Sequence, residues 1–165
     1  MSVVVYIDSN DGLSKSALEA VFYGSKIAST TGGDTIVVAT GNSDNDTLSS
    51  LGNYGATKVI SHNNNELDSQ QLTKLVTDVA KDSNAKVVVF SQDLVGKAVA
   101  PRVAVRLEAG FVSGATELPS SDFTIKVNTF SGKAFSFVKI NTDVKVISLL
   151  PMISIILFDS ISSDC

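Results

Sequence analysis

The sequence predicts a three-layer α/β fold with a mostly parallel sheet and a β-hairpin near the C-terminus. From Ser2 to about Val112, short apolar runs alternate with segments whose apolar residues recur at helical spacing. That order favours right-handed crossovers and a parallel sheet covered on both faces, as in Rossmann-like folds. Around Ser131-Gly132, apolar and polar residues instead alternate strictly, which predicts an antiparallel hairpin.

The elements of the first half follow from local patterns. Ser2–Ile7 contains three consecutive valines and predicts a buried strand. Ser16 stands three residues before Glu19, the spacing of a capping box, and the helix it predicts ends at Gly32-Gly33. The remaining elements of this half are strands at Thr35–Ala39 and Lys58–Ser61 and a short helix over Asp46–Tyr54.

The second half continues the alternation before the hairpin. Asp68 is predicted to cap an amphipathic helix, and Lys86–Ser91 reads as a central strand because it is apolar without alternation. A helix is predicted over Gly96–Leu107, with Pro101 in or near its first turn, where no amide donor is needed. The last elements are a short strand at Phe111–Val112, hairpin strands around Phe123–Val127 and Phe135–Phe137, and a strand at Lys145–Leu149 that is expected to return to the main sheet.

Composition sets limits on function. The 165 residues suit one domain, placed at 1–150, followed by an atypical apolar tail at 151–165. The net charge of −4 gives no electrostatic footprint for nucleic acid or anionic lipid. The apolar run Ile147–Phe158 is shorter than the ~20 residues that a membrane span needs, so no membrane insertion is expected. The first residues lack a basic, apolar leader, which makes a cytoplasmic location the expectation.

Residues able to do chemistry are sparse. The single Cys165 and single His62 have no partners at metal-ligand spacing, and His62 is predicted to be a loop residue. Asp8, Asp11 and Gly12 follow the first strand, where α/β folds place ligands, although a capped surface loop is the favoured interpretation. Ser91–Gly96 is a poor version of a phosphate loop, and no dinucleotide or Walker A pattern occurs. A free-standing adenine-nucleotide-binding module of universal-stress type therefore stays open as an alternative.

Several longer runs carry a family resemblance. Leu51–Val59 (LGNYGATKV), Gly96–Leu118 (GKAVAPRVAVRLEAGFVSGATEL) and Gly132–Ala134 occur in colinear order between Met1 and Leu149. Together they resemble the N-terminal domain of electron-transfer flavoprotein alpha subunits. The match departs from the family pattern at Ser148–Pro151, which lacks the Arg expected before the proline.

The resemblance implies an electron-carrier subunit without catalytic residues of its own. In that family, this Rossmann-like domain pairs with the beta subunit and helps to frame a separate FAD domain. The complex passes electrons from flavin dehydrogenases to a respiratory acceptor. The family's FAD is held mainly by the C-terminal domain of the alpha subunit, whose motifs do not occur in this sequence, so no FAD is expected on this chain alone. An inactive truncated fragment is a further alternative.

The candidate site residues are three cations of the predicted Gly96–Leu107 helix. Arg102 and Arg106 are four residues apart, which places both on one helix face, and Lys97 lies one turn earlier. This pattern predicts a face that meets a partner or an anion. A solvated, salt-bridged helix surface is the alternative.

Overall fold

The computed structural model describes residues 1–63 and 67–151, so the predicted tail from Met152 onward lies outside the described residues. In chain order the elements are β1 (Val3–Asp8), α1 (Lys15–Thr31), β2 (Thr35–Thr40), α2 (Asn45–Ser49) with a 3₁₀ turn (Ser50–Tyr54), β3 (Lys58–His62), α3 (Ser69–Asp82), β4 (Val87–Ser91), α4 (Leu94–Arg106), β5 (Gly110–Ala115), β6 (Thr124–Thr129), a second 3₁₀ turn (Phe130–Gly132), β7 (Ala134–Lys139) and β8 (Lys145–Leu149).

The eight strands of the described residues form one sheet in the order β3-β2-β1-β4-β8-β5-β6-β7. The pairs from β3 to β5 are parallel, and β6 and β7 complete the sheet as an antiparallel hairpin. The predicted α/β class and hairpin are therefore confirmed. The predicted return of the last strand is also confirmed, since Lys145 of β8 is in register with both Val87 of β4 and Gly110 of β5.

The two faces of the sheet bury two separate apolar clusters. Val3, Val5 and Ile7 of β1 point towards α1, whereas Val4 and Tyr6 point towards α3 and α4. This alternation is the two-residue period of a strand covered on both sides. The result is the helix–sheet–helix sandwich that the sequence predicts.

The prediction that Ser16 starts the first helix is wrong. Ser14 is the N-cap of α1, and its Oγ accepts a hydrogen bond from the Ala17 amide at 3.1 Å. Glu19 is buried within the helix, so its position three residues after Ser16 does not mark the helix start. Gly32 ends the helix in the left-handed conformation, as predicted.

The expected position of Pro101 is also wrong. Helix α4 begins at Leu94 because the Asp93 side chain caps it, accepting from the Gly96 amide at 2.7 Å. Pro101 consequently lies in the helix interior, two turns from the start. Asp68, by contrast, caps α3 as predicted, and Gln71 completes a capping box there.

Candidate functional site

Helix α4 carries the predicted cations, and its packing decides which way they face. Its buried residues are Gly96, Val99, Ala100, Val103 and Ala104, and the last four join the cluster beneath α3 and α4. The helix therefore turns one apolar side to the sheet. The opposite side, which includes all three predicted cations, is exposed.

Arg102 and Arg106 lie together in a groove between α4 and α3. The groove has a volume of about 480 Å³, and its lining is completed by Pro101 and Val105 of α4 and by two α3 residues, Gln70 and Thr73. The predicted pairing of the two arginines on one face is thus what the structure shows.

Lys97 is exposed but does not line this groove. Five residues separate it from Arg102, which is about 140° around an α-helix. Between these cations runs a strip that we call the α4 seam, formed by the exposed Leu94, Ala98 and Val105 and the half-buried Pro101. Leu94 is 87% exposed and Val105 is 79% exposed. Sequence reasoning missed the seam, although its spacing of i, i+4, i+7 and i+11 is visible in the sequence.

The charges on this face lack acidic partners among the described residues. The ion pairs found among the described residues lie away from α4 and join Lys86 to Asp143, Lys126 to Glu117 and Lys139 to Asp122. On α4 itself, the residues four positions from Arg102 are Ala98 and Arg106, so no carboxylate follows at ion-pair spacing. These arginines are exposed and take no part in those ion pairs, so a solvated helix surface stays open as the alternative to a partner or anion face.

The loop after β4 is built around a carboxylate. Asp93 accepts the Gly96 amide through one oxygen, and the Ser91 hydroxyl donates to the other. The capping carboxylate occupies the helix terminus where an anion would otherwise bind. In the loop after β1, the Asn10 amide donates a hydrogen bond to Asp8 Oδ1 at 2.9 Å. This contact is the kind expected of the capped surface loop that the sequence predicts as one of the two interpretations.

Residues 1–63 and 67–151 offer neither a metal site nor a membrane span. No cluster of three or more His, Cys, Asp or Glu in these ranges could hold a metal ion. Within the same ranges, no helix has the length and apolar character needed to cross a bilayer.

Fold and surface together define the class: an α/β domain that carries a basic, partly apolar face on helix α4. The chain belongs to the electron transfer flavoprotein family, because the model of the electron transfer flavoprotein domain matches residues 3–154. Members of this family carry electrons and are not themselves catalysts.

One relative among curated proteins is the acryloyl-CoA reductase electron transfer subunit beta of Anaerotignum propionicum. It is 25% identical over 151 residues, a match that covers 86% of this chain and 41% of the relative. The chain thus spans about two-fifths of that protein.

Among solved structures, a universal stress protein from Archaeoglobus fulgidus aligns with a TM-score of 0.44 at 17% identity, covering 64% of this chain and 87% of its own. A universal stress protein in complex with cAMP aligns with a TM-score of 0.40 at 19% identity, covering 64% of this chain and 90% of its own. A likeness of this size does not assign a nucleotide to this chain.

Proposed function

We propose that this chain is the N-terminal domain of an alpha-type electron-transfer flavoprotein subunit. It would dock on a partner subunit and help to position the FAD that passes electrons from flavin dehydrogenases to a respiratory acceptor. The observation that carries the proposal is the family match over residues 3–154. The protein's contribution would be positioning, since the cofactor supplies the redox chemistry.

The alpha assignment rests on the run Gly96–Leu118, which resembles the alpha-subunit signature. The relative from Anaerotignum propionicum is named an electron transfer subunit beta, so its name supports an electron transfer subunit and not the alpha type, and it extends well beyond the matched region. Its length supports a subunit in which this domain is one part of a larger chain.

We further propose that this chain alone binds no FAD. The Asp93 carboxylate caps α4 through the Gly96 amide, so a flavin pyrophosphate at this helix terminus would meet a negative charge. The cofactor of the assembled complex would then be held by other domains.

Co-expression with a cognate electron-transfer flavoprotein partner subunit tests the proposal. We expect the two chains to elute together in size-exclusion chromatography, and we expect the purified chain alone to lack visible flavin absorbance. Failure to form any complex would contradict the docking role, and FAD bound to the chain alone would contradict the cofactor assignment.

A thermal-shift series with AMP and ATP separates this proposal from a free-standing nucleotide module. Ligand that binds only the folded state raises the apparent stability as its concentration exceeds the dissociation constant. We expect no rise in Tm for the isolated chain. A concentration-dependent rise would favour the nucleotide-binding alternative.

A further inference from the structure

We propose that a cleft beside helix α1 binds a small polyhydroxy carboxylate, an anion that carries one carboxylate and several hydroxyl groups. The cleft lies between α1 and the 3₁₀ turn before β3, and it has a volume of about 280 Å³. We call it the α1 cleft. This site goes beyond the proposed electron-carrier role and does not depend on it. The polar lining of the cleft includes Ser25, Lys26 and Ser29 of α1, Asn53 and Tyr54 of the 3₁₀ turn, and Thr57.

Gly55 brings the two walls of the cleft together. Its φ is +91°, and a Cβ built there would lie 2.5 Å from the Ser25 Cβ. No side chain fits between the turn and the helix at this point, so the turn rests directly on α1. Leu51 of the same turn is fully buried in the core, which anchors the turn from below. Both walls are therefore held by packed backbone, and neither is a free loop.

The hydroxyl groups of the cleft differ in what they can still bind. Ser25 Oγ donates to the Phe22 carbonyl at 2.7 Å, and Ser29 Oγ donates to the Ser25 carbonyl at 2.8 Å. A hydroxyl has one hydrogen, so these two oxygens can only accept a hydrogen bond from a ligand. Thr57 Oγ1 accepts from the Thr35 amide at 3.3 Å and keeps its own hydrogen to donate. Hydroxyl groups on the ligand match this lining, because they both donate and accept.

Lys26 supplies the charge of the cleft. Its Nζ lies 4.9 Å from the centroid of the Phe22 ring, and this cation–π contact holds the ammonium at the wall. Within the part of the chain that the structure describes, no Asp or Glu lines the cleft. An ammonium has three N–H donors, so it can bind a carboxylate while it stays over the ring. A ligand with one carboxylate matches this cation.

The volume of the cleft limits the size of the ligand. A water molecule occupies about 30 Å³ of the liquid, so 280 Å³ corresponds to about nine groups of that size. Threonate, a four-carbon chain with one carboxylate and three hydroxyl groups, has about that number of non-hydrogen atoms. Phe22 and Tyr54 add ring surface for its carbon chain. AMP and ATP are far larger, which agrees with the expectation that neither binds this chain.

The test is a titration of the full isotope-labelled chain, followed by the NMR shifts of its backbone amide signals. We expect threonate to saturate the shifts of residues 25–29 and 53–57 with a Kd of about 1 mM, because a ligand of this size makes few contacts. Two probes of the same length separate the contributions. Butyrate has the carboxylate without the hydroxyl groups, and threitol has hydroxyl groups without the carboxylate. Each should bind ~10-fold more weakly than threonate.

Variants of the lining test the assigned roles. Lys26→Gln removes the charge and should weaken threonate binding ~10-fold, with threitol binding unchanged. Ser29→Ala removes an acceptor at an exposed position and should weaken threonate binding ~3-fold, with butyrate binding unchanged. The matched control Lys15→Gln makes the same charge change at the exposed start of α1, about 17 Å along the helix from Lys26. Its affinity for threonate should stay within ~2-fold of wild type.

The opposite results would overturn the site. Shifts that never saturate, or that saturate elsewhere on the surface, would show that the cleft takes no ligand of this class. Equal affinity for threonate and butyrate would contradict the recognition of hydroxyl groups, and equal effects of Lys26→Gln and Lys15→Gln would contradict the role of Lys26. Should Lys26→Gln misfold, Ser29→Ala and the three probes on the wild-type chain still decide. None of these results bears on the electron-carrier role, which is tested by complex formation.

Discussion

At the scale of single residues, Gly96 shows what one position of the family signature does physically. A Cβ built there would lie 1.9 Å from the Ser91 carbonyl oxygen, a backbone atom that cannot move aside cheaply. The glycine therefore lets α4 begin directly against the end of β4. Backbone packing alone therefore explains the glycine at position 96, without a bound ligand.

We expect Gly96→Ala to destabilise the fold by about 2 kcal/mol, the usual cost of overpacking. The control is Gly52→Ala, since a Cβ at Gly52 meets nothing within 4 Å. That variant should change the free energy of unfolding by less than ~1 kcal/mol. Urea denaturation measures both, and equal effects of the two substitutions would contradict the steric argument.

Tyr6 couples stability to alkaline pH. Burial raises its pKa from the ordinary 10.0 to about 12, although the hydrogen bond with Thr40 Oγ1 at 2.9 Å acts in the opposite direction. The unfolded chain thus loses this proton before the folded chain does. The stability that Tyr6 contributes is fully present below pH 10 and is lost as the pH rises from 10 towards 12.

We expect Tyr6→Phe to lower stability by about 1 kcal/mol at neutral pH, through loss of the hydrogen bond. The same variant should show a shallower decline of stability above pH 10 than wild type, because one group with a raised pKa has been removed. Urea unfolding at several pH values checks this. Identical slopes in the two proteins would show that Tyr6 does not carry the pH dependence.

At the scale of elements, local patterns predicted most strands and helices but misplaced two helix starts. Ser14 and Ser16 are two residues apart and hydrogen-bond to each other, so composition alone does not decide which one caps α1. Asp93 was missed as the cap of α4 because Gly96 seemed a natural start. In both cases the cap is a local hydrogen bond, to the Ala17 amide and to the Gly96 amide, and the sequence offers a competing start two or three residues later.

Pro101 in the interior of α4 carries a cost that can be measured. A proline cannot donate to the carbonyl of residue 97, and its ring crowds that carbonyl. We expect Pro101→Ala to stabilise the fold by about 1 to 2 kcal/mol, part of the cost of an internal proline. The control Pro119→Ala, outside any helix, should instead be neutral or slightly destabilising. Thermal unfolding compares them, and a loss of stability in Pro101→Ala would contradict this reasoning.

At the scale of the whole molecule, the site was only partly predictable. Four-residue spacing was enough to place Arg102 and Arg106 together. The groove also needs Gln70 and Thr73 from α3, about thirty residues earlier in the chain, and their contribution depends on how α3 packs against α4. Lys97 fell on the other flank because five residues overshoot one helical turn. Likewise, the apolar run of β8 predicts a strand, but it does not predict that β4 and β5 are the strands with which β8 pairs.

The position of β8 makes a final prediction about folding of the whole chain. All five residues of β8 are buried, and the strand hydrogen-bonds to both β4 and β5, so without it the sheet is split into two parts. We expect a chain ending at Asn141 not to fold cooperatively. A chain ending at Pro151 should keep its Tm within ~2 °C of the full chain, because both apolar clusters lie between Val3 and Leu149. Calorimetry of the two truncations is the measurement. Cooperative unfolding of the shorter one would show that β8 is dispensable, and loss of folding in the longer one would place part of the stabilising contacts after residue 151.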